Sequence, residues 1–116
     1  MGEFLEVMKA DKLKTGKMKA VDVAGQELLL AKVKGTFYAA RNRCPHMGAK
    51  LSEGKLDGTV VTCPRHGSQF DLATGQVARW LKGSGVVSAL GKMLKSPRSL
   101  EVYKVKVDGG MVMVEI

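Results

Sequence analysis

Cysteine and histidine are scarce in this chain of 116 residues, with two of each, and only 5% of the residues are aromatic. Two cysteines allow at most one disulfide, so a disulfide-stapled scaffold is excluded. Few aromatics leave no stacking platform for nucleic-acid bases, and they make Val, Leu, Met and Ala carry the core. No apolar run approaches the roughly 18 residues of a membrane-spanning helix. The start, Met-Gly-Glu-Phe-Leu-Glu, is acidic and lacks the basic, then apolar, pattern of a secretion signal. Glu6 stands where a myristoylation signal would have Ser or Thr. A cytoplasmic protein with no membrane span is the expectation.

What is present fits one domain over 1–116: an apolar fraction of 45% and a net charge of +8 from 19 basic and 11 acidic residues. The charge predicts acidic partner surfaces and salt-sensitive association rather than nucleic acid, because the lysines are spread along the chain.

Short apolar runs broken by glycine predict antiparallel strands. They cover Phe4–Met8, Met18–Val23, Leu28–Val33 and Thr36–Ala40, with turns at Gly25 and Lys34-Gly35. Further on, Leu56-Asp57-Gly58-Thr59 reads as a turn and Gly58–Thr62 as a strand. Gln69–Leu72 and Gln76–Ala78 read as a hairpin about Ala73-Thr74-Gly75. Leu100–Val107 and Met111–Ile116 flank Asp108-Gly109-Gly110, a strong hairpin signal. One stretch departs from this pattern. Val86, Val87, Leu90, Met93 and Leu94 fall at helical spacing, so a short amphipathic helix is expected over about 84–95, capped by Ser84 and stopped by Ser96-Pro97.

The rare residues are not scattered. Cys44-Pro45-His46 is followed, after sixteen residues, by Cys63-Pro64-Arg65-His66, and the two loops use every Cys and His in the chain. Two thiolates and two imidazoles suit zinc, copper or an iron–sulfur centre. Structural zinc sites favour a Cys-x₂₋₄-Cys knuckle with a helical His pair. One Cys and one His per loop suit instead a two-iron cluster with Cys₂ on one iron and His₂ on the other. An oxygenase would need a further mononuclear iron on two His and a carboxylate, and no histidine remains for it.

Cys44-Pro-His-Met-Gly and Cys63-Pro-Arg-His-Gly-Ser-Gln-Phe-Asp resemble the two cluster loops of the Rieske family, most closely its soluble ferredoxins. The resemblance is motif-specific over about 42–76. It implies an all-β fold of stacked antiparallel sheets with a cluster-binding loop subdomain and, in this chain, one inserted helix. It also implies one Rieske-type 2Fe–2S cluster, with Cys44 and Cys63 on the inner iron and His46 and His66 on the outer. The function implied is one-electron transfer without catalysis, from a flavoprotein reductase to an oxygenase or other terminal acceptor. A fixed subunit of a nitrite-reductase-like complex is the alternative, and a zinc-binding module a third.

Gly48 and Gly67 read either as turn glycines or as positions where a side chain would crowd the cluster. Ala49 and Arg65 stand where respiratory bc-type relatives have a disulfide. Ser68 matches a sulfur-bonding Ser of those relatives, and Phe70 replaces their Tyr. Fewer hydrogen bonds to sulfur imply a potential in the lower half of the Rieske span. Between hairpin and Pro97, the stretch 79–95 is an addition to the usual ferredoxin pattern. Its helix reads either as packing its apolar face on a sheet edge without a partner, or as a docking surface beside the cluster whose polar side is made basic by Arg79, Lys82, Lys92, Lys95 and Arg98.

Overall fold

The structure, a computed structural model, describes residues 3–44, 50–64, 67–79 and 100–116. The expected helix over 84–95 and Pro97 lie outside the described residues, as do His46 and His66.

Eleven strands are described in three antiparallel sheets. β1 (Phe4–Lys9), β10 (Val105–Asp108) and β11 (Met111–Glu115) form one, in the order β1-β11-β10. The second has the order β2-β3-β4-β9, from β2 (Lys17–Val23), β3 (Gln26–Val33), β4 (Thr36–Arg41) and β9 (Val102–Tyr103). β5 (Lys55–Asp57), β6 (Val60–Thr62), β7 (Gln69–Asp71) and β8 (Val77–Arg79) make the third, in sequence order.

β3 explains how the layers stack. Leu28 and Leu30 point into one core with Val112 and Val114 of β11, while Leu29 and Ala31 point into another with Cys44, Cys63 and Phe70. A strand buried on both faces has no polar alternation to keep, which is why Leu28–Ala31 is continuously apolar. Tight turns set the register of the hairpins that frame it. Ala24-Gly25 and Lys34-Gly35 both take positive φ at each central residue, the twist that two-residue hairpins favour.

Two sequence expectations need correction. Leu100–Val107 is not one strand: β9 pairs with β4 and β10 with β11, so the chain changes sheet at Lys104. Val102 accordingly packs on the core that holds the thiols, and Val105 on the other. The turn expected at Leu56–Thr59 is confined to Gly58-Thr59, because Leu56 and Asp57 belong to a strand, β5, whose Lys-Leu-Asp sequence carries too little apolar character to be read as one.

Candidate metal centre

The first loop leaves from the end of β4. There the Arg41 N–H donates to the Glu101 carbonyl (2.9 Å) and the Asn42 N–H to the Glu27 carbonyl (3.2 Å), so the backbone is held up to two residues before Cys44. Asn42 is buried, and its side chain bonds Ser52 twice: Nδ2 donates to Oγ, and Oδ1 accepts from the Ser52 N–H, each at 2.8 Å. Ser52 sits in a single 3₁₀ turn, Leu51–Glu53, whose Leu51 is fully buried.

The second loop joins β6 to β7. The Cys63 N–H donates to the Ser68 carbonyl (2.7 Å), and the Gly67 N–H returns to the Cys63 carbonyl (3.2 Å). Gln69 Nε2 donates to Thr62 Oγ1 (3.1 Å) across the base of the loop. Gly67 takes φ +74°, so a turn requirement already accounts for that glycine. The bases of the two loops also meet. A Cβ on Gly54, just after the 3₁₀ turn, would overlap the carbonyl oxygen of Thr62, the residue before Cys63.

These contacts bring Cys44 and Cys63 into one apolar core with Leu29, Leu51, Val61 and Phe70, each cysteine 2% exposed and in no disulfide. The donor chemistry fits an iron–sulfur group. Two soft thiol donors lie buried in the same core, where bare thiolates would be costly and metal-bound ones are compensated. Ser68 and Phe70 are fully buried beside them. His46, His66, Ala49, Arg65 and Gly48 lie outside the described residues. Among the described residues no three His, Cys, Asp or Glu side chains gather as an alternative metal site.

An open crevice of about 420 Å³ lies beside the first loop, lined by Asp22, Gln26, Glu27, Arg41, Asn42 and Arg43. Nearby ion pairs, Arg41–Glu101 (3.7 Å) and Lys50–Glu27 (3.3 Å), are exposed and contribute little to stability.

The contact between Gly75 and Leu100 and the Asn42–Ser52 pair escaped the sequence reading. Gly75 has φ +80°, and its carbonyl accepts from the Leu100 N–H (2.7 Å). A Cβ there would come within 2.3 Å of the Leu100 carbonyl oxygen. Leu100 thus returns the chain onto the thiol-bearing core after residues 80–99. At the other flank Arg79 pairs with Gln69, one residue from Ser68. For Asn42 the available signal was a polar residue two positions before a candidate ligand.

Residues 3–90 match the family model described as the Rieske [2Fe-2S] domain. The chain is 30% identical over 116 residues to the ferredoxin component of the naphthalene 1,2-dioxygenase system of Pseudomonas putida, covering 98% of this chain and 96% of the relative. Its fold is similar to that of the ferredoxin of carbazole 1,9a-dioxygenase from Nocardioides aromaticivorans IC177, with TM-score 0.79, 28% identity and coverage of 96% and 95%. A chain in the complex of reduced oxygenase and oxidized ferredoxin in carbazole 1,9a-dioxygenase gives TM-score 0.77 at 34% identity, with coverage of 97% and 92%.

Proposed function

The chain belongs to the Rieske [2Fe-2S] domain family and is an electron-transfer component, and from that premise we propose that it serves a flavoprotein reductase and a terminal oxygenase as their ferredoxin. The observation that carries this reading is the burial of two unbridged thiols, one from each loop, in a single core. In our reading the whole chain, 1–116, is one domain and acts in the cytoplasm. Among the described residues no helix is long and apolar enough to cross a membrane.

Cys44 and Cys63 would hold the inner iron, and His46 and His66 the outer one. When bound, the cluster supplies reversible one-electron chemistry at a potential set by its ligands and the hydrogen bonds to its sulfurs. The protein's own part is to orient and exclude. Leu51, Val61, Phe70, Leu72 and Leu100 keep water from the thiols, and the hydrogen bonds at the base of each loop hold the backbone beside the cysteines.

Docking is assigned to acidic surfaces on the partners. Residues 80–99 carry Lys82, Lys92, Lys95 and Arg98 and no acidic residue, so 20 residues supply half of the net charge of +8. The flanks of that segment, Arg79 and Leu100, are both fastened to the β7–β8 hairpin, which continues directly from the second loop.

Reconstitution tests the proposal. The purified red-brown protein should take up one electron per chain in an anaerobic dithionite titration. It should then restore turnover to a flavoprotein reductase and a ring-hydroxylating oxygenase deprived of their own ferredoxin. A protein that takes up no electron, or that is reduced by no such reductase, would overturn it.

A further inference from the structure

We infer that Asn42 is a positioning residue for the cluster-binding loops, acting through Ser52 to fix where Cys44 stands relative to Cys63. The inference rests on the reading of both cysteines as ligands and adds a residue outside the four-ligand pattern.

The geometry is specific. Asn42 is 1% exposed, yet its carboxamide meets Ser52 through both ends, at 2.8 Å each. The Ser52 backbone N–H can only donate, so Oδ1 must face it and Nδ2 must face the hydroxyl; the amide has one orientation. The pair therefore closes a loop from residue 43 to residue 51 with two parallel bonds. Cys44 is the second residue inside that loop. Both ends of the closure are themselves held. Asn42 is tied back to Glu27, and Ser52 lies in the turn whose Leu51 packs in the thiol core.

The closure also reaches the second loop. Gly54 follows Ser52 by two residues, and its N–H donates to the Leu51 carbonyl (2.9 Å). Its bare backbone lies against the Thr62 carbonyl, where any Cβ would overlap. Thr62 is bonded to Gln69 and precedes Cys63. A continuous path, Asn42–Ser52–Gly54–Thr62, thus joins the residue two before one thiol to the residue one before the other. An apolar pair would fill the same space but would not fix the rotation of the loop. Buried amides satisfied at both ends are used for such specification. Groups that orient ligands from behind typically change metal affinity by about 10- to 100-fold when removed.

The test uses the holo-protein and three variants: Asn42→Ala, Ser52→Ala and Val112→Ala. Ser52→Ala keeps the backbone N–H bond to Oδ1 and loses the hydroxyl bond. Val112→Ala opens the other core, away from both thiols, and serves as a control for general loss of stability. Iron release to a ferrous chelator is timed under native conditions, and the reduced EPR spectrum and midpoint potential are recorded. Asn42→Ala should release iron about 10- to 100-fold faster than wild type with a broadened EPR spectrum and an altered potential. Ser52→Ala should fall between. Val112→Ala, though less stable to urea, should match wild type in all three readouts. If Asn42→Ala behaves like Val112→Ala, the inference fails while the cluster assignment stands. A wild-type protein with no Rieske-type spectrum would instead remove the reading on which it rests. Should Asn42→Ala not fold, Ser52→Ala matching wild type would still overturn it.

Discussion

Replacing Gly75 by alanine should damage the protein far more than replacing Gly35, although both glycines have almost the same backbone conformation. Their φ values are +80° and +81°, so the penalty for a Cβ in the left-handed region, about 1–2 kcal/mol, is common to both. Around Gly35 a Cβ meets nothing within 4 Å. At Gly75 it would stand 2.3 Å from the Leu100 carbonyl oxygen and 3.4 Å from Val102 Cγ1. Backbone cannot yield there without losing the Leu100 N–H bond to Gly75, about 1 kcal/mol, and part of the burial of Leu100, about 1–2 kcal/mol. The contact term alone is then about 2–3 kcal/mol. Because cluster loss makes unfolding irreversible, the assay is the half-life of the visible absorbance at a fixed urea concentration. If that contact is absent in the unfolding transition state, Gly75→Ala should lose colour about 30- to 150-fold faster than Gly35→Ala. Half-lives equal to within about twofold, the scatter expected of independent sites, would refute the argument that Leu100 is clamped onto the thiol core at Gly75.

Other expectations follow from the same features. With Phe70 in place of a hydroxyl-bearing Tyr, voltammetry should place the midpoint in the lower half of the span of about −150 to +300 mV; a value above about +250 mV would contradict it. The second-order rate of reduction by a reductase should fall with rising salt on the scale of the Debye length, about 10 Å at 0.1 M. Neutralising Lys82, Lys92, Lys95 and Arg98 together should flatten that dependence, and an unchanged slope would remove the docking assignment. Burial, followed by the nearby Glu101 carboxylate, raises the pKa of Tyr103 above the ordinary 10.0. The folded state then binds this proton more tightly than the unfolded state, so its contribution is complete below pH 10 and is lost as pH rises through the folded pKa. Tyr103→Phe should therefore make urea stability fall less steeply above pH 10; an identical alkaline limb would count against it.

Much of this molecule is legible in its sequence because its strands alternate and its turns use glycine. The three hairpin turns about Gly25, Gly35 and Asp108-Gly109-Gly110 fall where their residues predict. Cys44 and Cys63 meet in one core as their matching loops suggest. What stayed hidden depends on distant partners. Leu100–Val107 keeps one apolar rhythm while changing sheet, because both sheets need an inward-facing Val there and periodicity cannot say which. Gly75 reads only as a turn glycine and Gly54 carries no signal of its own, and the approach of Leu100 and Thr62 shows why no side chain fits at either. Asn42 is a polar residue whose burial is decided ten positions away, at Ser52.

The central claim is that one cluster is held by both cysteines and both histidines. Histidine labelling tests it directly, because the chain has only two histidines, His46 and His66. In ¹⁵N-histidine protein reduced with dithionite, electron–nuclear double resonance should detect two strongly coupled ¹⁵N nuclei on a centre containing two irons and two sulfides. Loss of either imidazole, by His46→Ala or His66→Ala, should abolish that signal. A reduced protein with no ¹⁵N-histidine coupling, or a purified protein carrying one zinc and no labile sulfide, would contradict the account.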